Sequence, residues 1–346
     1  MTLLTIHPAH DATSPIEPSA ADIQARPSIP TGRTAETGPM GPLGLTTTVP
    51  REYVHRASHA EVFLTGCRKH DDAHYTLSGQ WPRAHTFFTT PDGTHHDSLQ
   101  AAETIRQTGL YLAHAELGVP LGNHFLLHDL TVTTHPDQMA IGALPTDLVL
   151  RATCTDVVRK GKRLAEFRMD IAVVGDDERP YATGGGRFTC LTPATYRRLR
   201  GSGDATDTPI PANPFDRPHP APLVAPAVVG KRNPFDVVLS PTGRPHHWLL
   251  NPDPRHPVLF DHGGDHYPGM VLIEAARQAA HAHHNPVAPH TTTLVTRFHN
   301  YAELRAPLVI ETTLLPSTTD TPTVDVTGRQ NDRTVFTTQI VTHTKR

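Results

Sequence analysis

Alternation of apolar and polar residues marks the antiparallel strands of this chain. In "LAEFRMDIAV", residues 164–173, apolar side chains at every second position alternate mostly with charged ones, which is the period of a half-buried strand. The turn dipeptides at 160–161 and 175–176 bound this run. It therefore predicts one strand of an antiparallel meander.

Apolar, β-rich runs recur in the same order in the two halves of the chain. In the first half they lie at about 124–134, 147–158, 164–174 and 181–191. In the second half they lie at about 292–300, 307–315, 322–328 and 334–343. Upstream, "VHRASHAEVFLT" at 54–65 resembles "VGKRNPFDVVLS" at 229–240. Each half therefore predicts the element order β-β-α-β-β-β-β.

Each half also contains one long helical segment. The first spans about 98–117, after Asp97 as a capping residue and before Gly118 as a terminator. The second spans about 268–284, with Pro268 in its first turn. The second is apolar around most of its circumference, which indicates a buried helix.

The two helices are copies of one motif. "HHDSLQAAETIRQTG" (95–109) aligns without a gap over "HYPGMVLIEAARQAA" (266–280), sharing the opening His, the Glu and the following Arg-Gln. A long buried helix wrapped by a curled antiparallel sheet is the hotdog fold. The double occurrence favours an α+β tandem double hotdog over two generic α+β domains.

Composition divides the chain into four segments. Residues 51–198 and 223–346 predict the two hotdog repeats. The segment 1–50 and the Pro-rich linker 199–222 have few large apolar residues, so we expect them to be disordered or loosely ordered.

Charge and cysteine content exclude several classes of protein. The 31 basic and 34 acidic residues are nearly balanced, so no nucleic-acid partner is indicated. No run approaches a membrane span, and we see no signal peptide. The three scattered cysteines fit a reducing cytoplasm. Motifs for a covalent nucleophile or a bound nucleotide are absent, so no cofactor is expected.

Each E-x-x-R-Q places a charged pair on an apolar helix: Glu103 with Arg106, and Glu274 with Arg277. One interpretation is an ordinary ion pair three residues apart on a solvated face. The apolar flanks of the second pair fit burial better, and a buried carboxylate beside a guanidinium is a candidate general base with an anion clamp.

The segment "FDHGGDHYPGM" at 260–270 is a second cluster. His262 and His266 have H-x-x-x-H spacing beside Asp265, but the glycines indicate a loop, so we expect an acid/base or substrate-binding loop rather than a metal site. A purely structural loop is the other alternative. The N–H of Gly269 lies at the positive end of the predicted helix, with no side chain to obstruct it. It could therefore stabilise a carbonyl oxygen that becomes negative during a reaction.

Four motifs together resemble one family. They are "VHRASHAEVFLT", "QWPRAHTFF", "ETIRQTGLYLAHAELGVPLG" and "FDHGGDHYPGMVLIEAARQA". "PGMVLIEAARQA" also resembles the helix entry of hotdog β-hydroxyacyl-thioester dehydratases, but the whole set is more similar to the A-factor biosynthesis (AfsA-like) proteins of actinobacteria. The first half has Asp97-Ser98 in place of Pro-Gly, and the His loop is shorter than that of a dehydratase.

The resemblance implies an acyltransferase that joins a β-ketoacyl chain, carried on acyl carrier protein, to the hydroxyl of dihydroxyacetone phosphate. The product leads to a γ-butyrolactone, butenolide or furan-type signalling molecule. A dehydratase or thioesterase, a non-catalytic acyl-binding regulator and a structural scaffold are the alternatives.

The site implied for that reaction comes from both halves. The catalytic candidates are Glu103 as base, Glu274, Arg277 and His262. The substrate-binding candidates are Arg106, Gln107, Gly269, His266, Asp265 and Gln278. Arg277 or Arg106 would bind the phosphate, and Gly269 would hold the thioester carbonyl. A homodimer is possible, and no metal is expected.

Overall fold

The computed structural model describes residues 47–175, 177–201, 222–261, 263–284, 290–316 and 321–343. The assigned segments 1–50 and 199–222 lie almost wholly outside these ranges. The candidate catalytic residue His262 also lies outside them.

Within the described residues, twelve strands form one antiparallel sheet. The strands of the first half are β1 (Leu64–Lys69), β2 (His74–Trp81), β3 (His124–Thr134), β4 (Thr146–Lys160), β5 (Arg163–Val174) and β6 (Pro180–Leu191). Those of the second half are β7 (Leu239–Pro241), β8 (His247–Leu250), β9 (His290–Phe298), β10 (Val309–Leu315), β11 (Thr323–Gln330) and β12 (Arg333–His343). The eight predicted runs agree closely with β3–β6 and β9–β12.

The sheet order repeats between the halves. It runs β1-β2-β4-β5-β6-β3 and then, in the reverse sense, β9-β12-β11-β10-β8-β7. The halves join where β3 pairs antiparallel with β9, with Leu130 opposite Thr296. This arrangement confirms the predicted tandem double hotdog.

Three α-helices lie in the described part of the chain: α1 (Ser98–Tyr111), α2 (Pro193–Arg200) and α3 (Gly269–His284). The predicted helices α1 and α3 are confirmed, although the last turn predicted for the first is a π-helix over Leu112–Glu116. Helix α2 was not predicted. As expected, Asp97 caps α1, because its side chain accepts a hydrogen bond from the Leu99 N–H at 2.9 Å. None of the helices in these ranges is long and apolar enough to cross a membrane.

Both long helices pack against the sheet of their own half. α1 contacts β3 and β6, and α3 contacts β10, β11 and β12. Gly109 allows α1 to approach closely, since a Cβ there would lie 2.4 Å from Cζ of Phe188. Phe188 in turn stacks on Phe167 with ring centroids 5.0 Å apart. Because both helices pack against the sheet, the side chains of Glu103 and Glu274 lie in the protein interior.

Candidate active site

The first E-x-x-R-Q segment forms a buried network around the carboxylate of Glu103. Arg106 donates from Nε to Oε2 and from Nη2 to Oε1, both at 2.8 Å, and Gln107 donates to Oε1 at 2.8 Å. Arg56, which precedes β1, donates from Nε to Oε1 at 2.9 Å. One fully buried carboxylate therefore connects α1 to the segment that leads into the sheet.

The second half repeats this network around Glu274. Arg277 donates from Nε to Oε2 at 3.0 Å and from Nη2 to Oε1 at 2.7 Å, and Gln278 donates to Oε1 at 2.6 Å. The Nζ of Lys231 lies 3.2 Å from Oε1. Lys231 aligns with Arg56 in the upstream repeat, so the fourth member of each network is also duplicated.

The glutamine of each motif joins its helix to backbone groups. Gln107 accepts from the Phe63 N–H at 3.0 Å and donates to the Glu61 carbonyl at 2.7 Å. Gln278 accepts from the Val238 N–H at 2.9 Å and donates to the carbonyl oxygen of residue 236 at 2.7 Å. These contacts support a positioning role for both glutamines, and their predicted role in binding substrate stays a prediction.

Both buried glutamates are held in the charged form. Burial alone would raise the pKa of Glu103, but the charges of Arg106 and Arg56 and several hydrogen bonds outweigh it and lower the pKa to about 2. The same balance, with Arg277 and Lys231, lowers the pKa of Glu274 to about 2. Each carboxylate is consequently a strong hydrogen-bond acceptor and a weak base.

Arg277 also faces a cavity of about 320 Å³ between the two halves. It is 7% exposed, and its Nη1 lies 4.0 Å from Oδ2 of Asp97 at the start of α1. The cavity is lined from the first half by His95, His96, Asp97 and Ser98, and from the second half by Gly230, Arg277, His281 and His290. The structure therefore brings one arginine of the duplicated motif to a chamber that both halves share.

The loop before α3 is engaged elsewhere. Asp265 accepts hydrogen bonds from Tyr196 at 2.7 Å and from Nε of Arg200 at 3.0 Å, and its Oδ1 lies 2.7 Å from Nδ1 of His266. Tyr196 and Arg200 belong to α2, so this unpredicted helix covers the loop. Asp265, His266 and Gly269 are not among the residues that line the Arg277 cavity. Their assignment to substrate binding stays a prediction.

No group of three or more His, Cys, Asp or Glu side chains in the described ranges could hold a metal ion. Because His262 lies outside those ranges, the expectation that its loop binds no metal stays a prediction.

Sequence reasoning missed the basic partners Arg56 and Lys231. The signal that could have found them was the upstream repeat, where the two basic residues align. It also missed His281, which lies one turn after Arg277 and lines the cavity. Nothing in the repeat pointed to His281, because the equivalent residue of the first half is Leu110.

Comparison with known proteins places these features in a family. The family described as "A-factor biosynthesis hotdog domain" (AfsA) matches residues 40–192 and 212–344. The chain is 48% identical over 296 residues to a 2-oxo-3-(phosphooxy)propyl 3-oxoalkanoate synthase of Streptomyces virginiae, covering 84% of this chain and 96% of the relative. It is 37% identical over 305 residues to the synthase of the same name from Streptomyces griseus, covering 88% of this chain and 96% of the relative. The chain therefore belongs to the AfsA family of A-factor biosynthesis hotdog proteins.

Proposed function

We propose that this chain is an acyltransferase that esterifies the hydroxyl of dihydroxyacetone phosphate with a 3-oxoacyl group taken from a thioester. The compound in the relatives' name, a 2-oxo-3-(phosphooxy)propyl 3-oxoalkanoate, is the ester of these two components. Making it forms one C–O bond and breaks one C–S bond, so the reaction needs no redox cofactor. The observation that carries the proposal is the buried Arg277 guanidinium beside a cavity lined by both halves.

Arg277 suits the phosphate of the acceptor substrate. Its Nε and Nη2 are engaged by Glu274, which fixes the plane of the guanidinium. Its Nη1 is left near the cavity, with Asp97 at 4.0 Å, beyond a hydrogen bond. A phosphate oxygen would therefore meet a donor that is already oriented, in a site where burial strengthens the attraction. Glu274 is the residue that positions this donor.

The equivalent arginine of the first half is placed differently. Arg106 uses Nε and Nη2 on Glu103, and its Nη2 also reaches the Val54 carbonyl at 3.3 Å. It does not line the cavity. Of the two predicted phosphate ligands, we therefore assign the phosphate to Arg277.

Glu103 was predicted to be the general base. Its carboxylate accepts from Arg56, Arg106 and Gln107, and its lowered pKa makes uptake of a proton costly. These contacts favour an anchoring role, in which Glu103 fixes Arg56 and Arg106 and so sets the position of α1. The variant Glu103→Gln, which keeps the shape of the side chain but cannot take up a proton, tests the base role.

The acyl donor in this proposal is a thioester on acyl carrier protein, and the chain works in the cytoplasm, with a homodimer as its candidate oligomeric state. A carrier-bound thioester should be used with a much lower KM than the same acyl group on a small thiol. Light scattering of the purified chain measures the number of copies.

Mass spectrometry of a defined mixture tests the reaction. The purified chain with a 3-oxoacyl thioester and dihydroxyacetone phosphate should give the phosphorylated ester, and dihydroxyacetone without phosphate should give far less. Loss of the thioester at the same rate without any acceptor would indicate a thioesterase. Conversion of a 3-hydroxyacyl thioester to the unsaturated one would indicate a dehydratase.

A further inference from the structure

We propose that His281 is the general base that takes the proton from the attacking hydroxyl group. The inference rests on the proposed function and adds to it the catalytic residue that the E-x-x-R-Q motif does not supply. It starts from two observations: His281 lines the cavity that Arg277 faces, and its ring is held in one orientation.

Two contacts hold the ring of His281. Its Nδ1 lies 3.1 Å from the carbonyl oxygen of Val228, and because a carbonyl only accepts, Nδ1 carries the proton. The ring edge lies against Gly230, where a Cβ would be 2.7 Å from Cδ2 and 2.8 Å from Nε2. Gly230 also has a φ of +67°, so both the backbone and the space favour glycine at this position.

The tautomer leaves Nε2 as the basic nitrogen. In the described part of the chain, the Val228 carbonyl is the hydrogen-bond partner of His281, and it uses Nδ1. Nε2 therefore keeps its lone pair, at the ring edge beside Gly230, another residue that lines the cavity. A hydrogen bond from the other nitrogen to a carbonyl fixes the tautomer and orientation of an imidazole, which suits a general base.

His281 follows Arg277 by four residues on α3, so the two side chains lie on the same face of the helix. With the phosphate on Arg277, the hydroxyl at the other end of the substrate comes within reach of Nε2. Nε2 takes the hydroxyl proton while the oxygen bonds to the thioester carbonyl carbon. The tetrahedral intermediate then breaks its C–S bond, and the leaving sulfur receives the proton from Nε2. The base ends unchanged, and ester and thiol are the products.

The first half cannot provide the same group. Leu110 aligns with His281, and His55 aligns with Gly230. Nε2 of His55 instead lies 2.9 Å from Nε2 of His114. The fold is duplicated but this base is not, so the structure assigns the chemistry to one of the two pseudo-symmetric positions.

The surroundings keep the imidazole neutral. Burial lowers the pKa of His281 below its ordinary value, the Val228 hydrogen bond opposes this, and the charge of Arg277 lowers it further. The titratable and charged groups that face it are Arg277 and His284 on α3, Asp97 at the start of α1, and His95, His96, Asp92 and His290 around the cavity. The base is therefore active at neutral pH and is lost as the pH falls.

The test is steady-state ester formation by the full chain and by His281→Asn. Asparagine can keep a donor for the Val228 carbonyl but has no basic nitrogen. We expect kcat to fall about 10²- to 10⁴-fold, with the KM for dihydroxyacetone phosphate changed less than about threefold. The matched control is His283→Asn, on the same helix, whose Nδ1 lies 2.8 Å from the Thr312 hydroxyl and which does not line the cavity. It should keep wild-type kcat.

Two results would overturn the proposal. One is a folded His281→Asn chain with kcat within about threefold of the wild type. The other needs no variant: a wild-type kcat that stays flat from neutral pH down to the acid limit of folding would show that no histidine base acts. A wild type that makes no ester at all would contradict the proposed function. Ester formation that does not depend on His281 would contradict only this inference.

Discussion

Replacing Arg277 with lysine separates charge from geometry at the proposed phosphate site. Lysine keeps the positive charge but has a single nitrogen. Arginine uses Nε and Nη2 on Glu274 and still has Nη1, which lies near the cavity-lining residue Asp97. A charge-assisted hydrogen bond contributes about 1.5–3 kcal/mol. At about 1.4 kcal/mol for each factor of ten, loss of the phosphate bond should lower kcat/KM for dihydroxyacetone phosphate by about 10- to 100-fold.

The assay varies each substrate in turn and compares Arg277→Lys with Arg106→Lys. The effect of Arg277→Lys should appear in the KM for dihydroxyacetone phosphate and much less in that for the thioester. Arg106→Lys makes the same chemical change beside Glu103, away from the cavity, so its effect on the KM for the phosphate substrate should be far smaller. Thermal melting checks that both variants are folded. Equal effects of the two variants, or an effect on the thioester alone, would refute the assignment of the phosphate to Arg277.

Three further predictions concern the buried networks. Folding lowers the pKa of Glu103 and that of Glu274 from 4.5 to about 2. The two carboxylates therefore stabilise the fold fully above pH 4.5, and this contribution is lost as the pH falls toward about 2. Urea unfolding at a series of acid pH values should show the free energy of unfolding decline over this range, and a constant value would contradict the prediction. Glu103→Gln should lower the melting temperature, because Arg56 and Arg106 lose the buried carboxylate that they share. It should also disable ester formation if Glu103 is the base, and near-normal rates in a folded variant would exclude that role. Gln278→Leu should destabilise the chain by about 1–3 kcal/mol, because the Val238 N–H and the carbonyl of residue 236 lose their hydrogen-bond partner. A melting temperature equal to that of the wild type would contradict this and would show that water replaces the amide.

The strands and the two long helices could be predicted from the sequence because their signals are local. Alternation along "LAEFRMDIAV" reports which face of one strand is buried, and it needs no knowledge of the partner strands. Asp97 caps α1 through a contact with Leu99, two residues away. The gap-free repeat of the helix motif then predicted the tandem hotdog, because two copies of one pattern fold in the same way.

The candidate site depended on contacts between distant segments. Glu103 and Arg56 are 47 residues apart, and the glutamate could not be recognised as an anchored carboxylate until the fold supplied this second guanidinium. The sequence alone left the phosphate ligand open between Arg106 and Arg277.

Only the tertiary structure distinguished the two arginines, because the cavity is formed by the start of α1 in one half and by α3 in the other. The role of His281 follows from the same packing, since its orientation depends on Val228 and Gly230, about fifty residues earlier in the chain. Periodicity and caps act within a few residues, whereas a site is defined by which side chains the folded chain brings together.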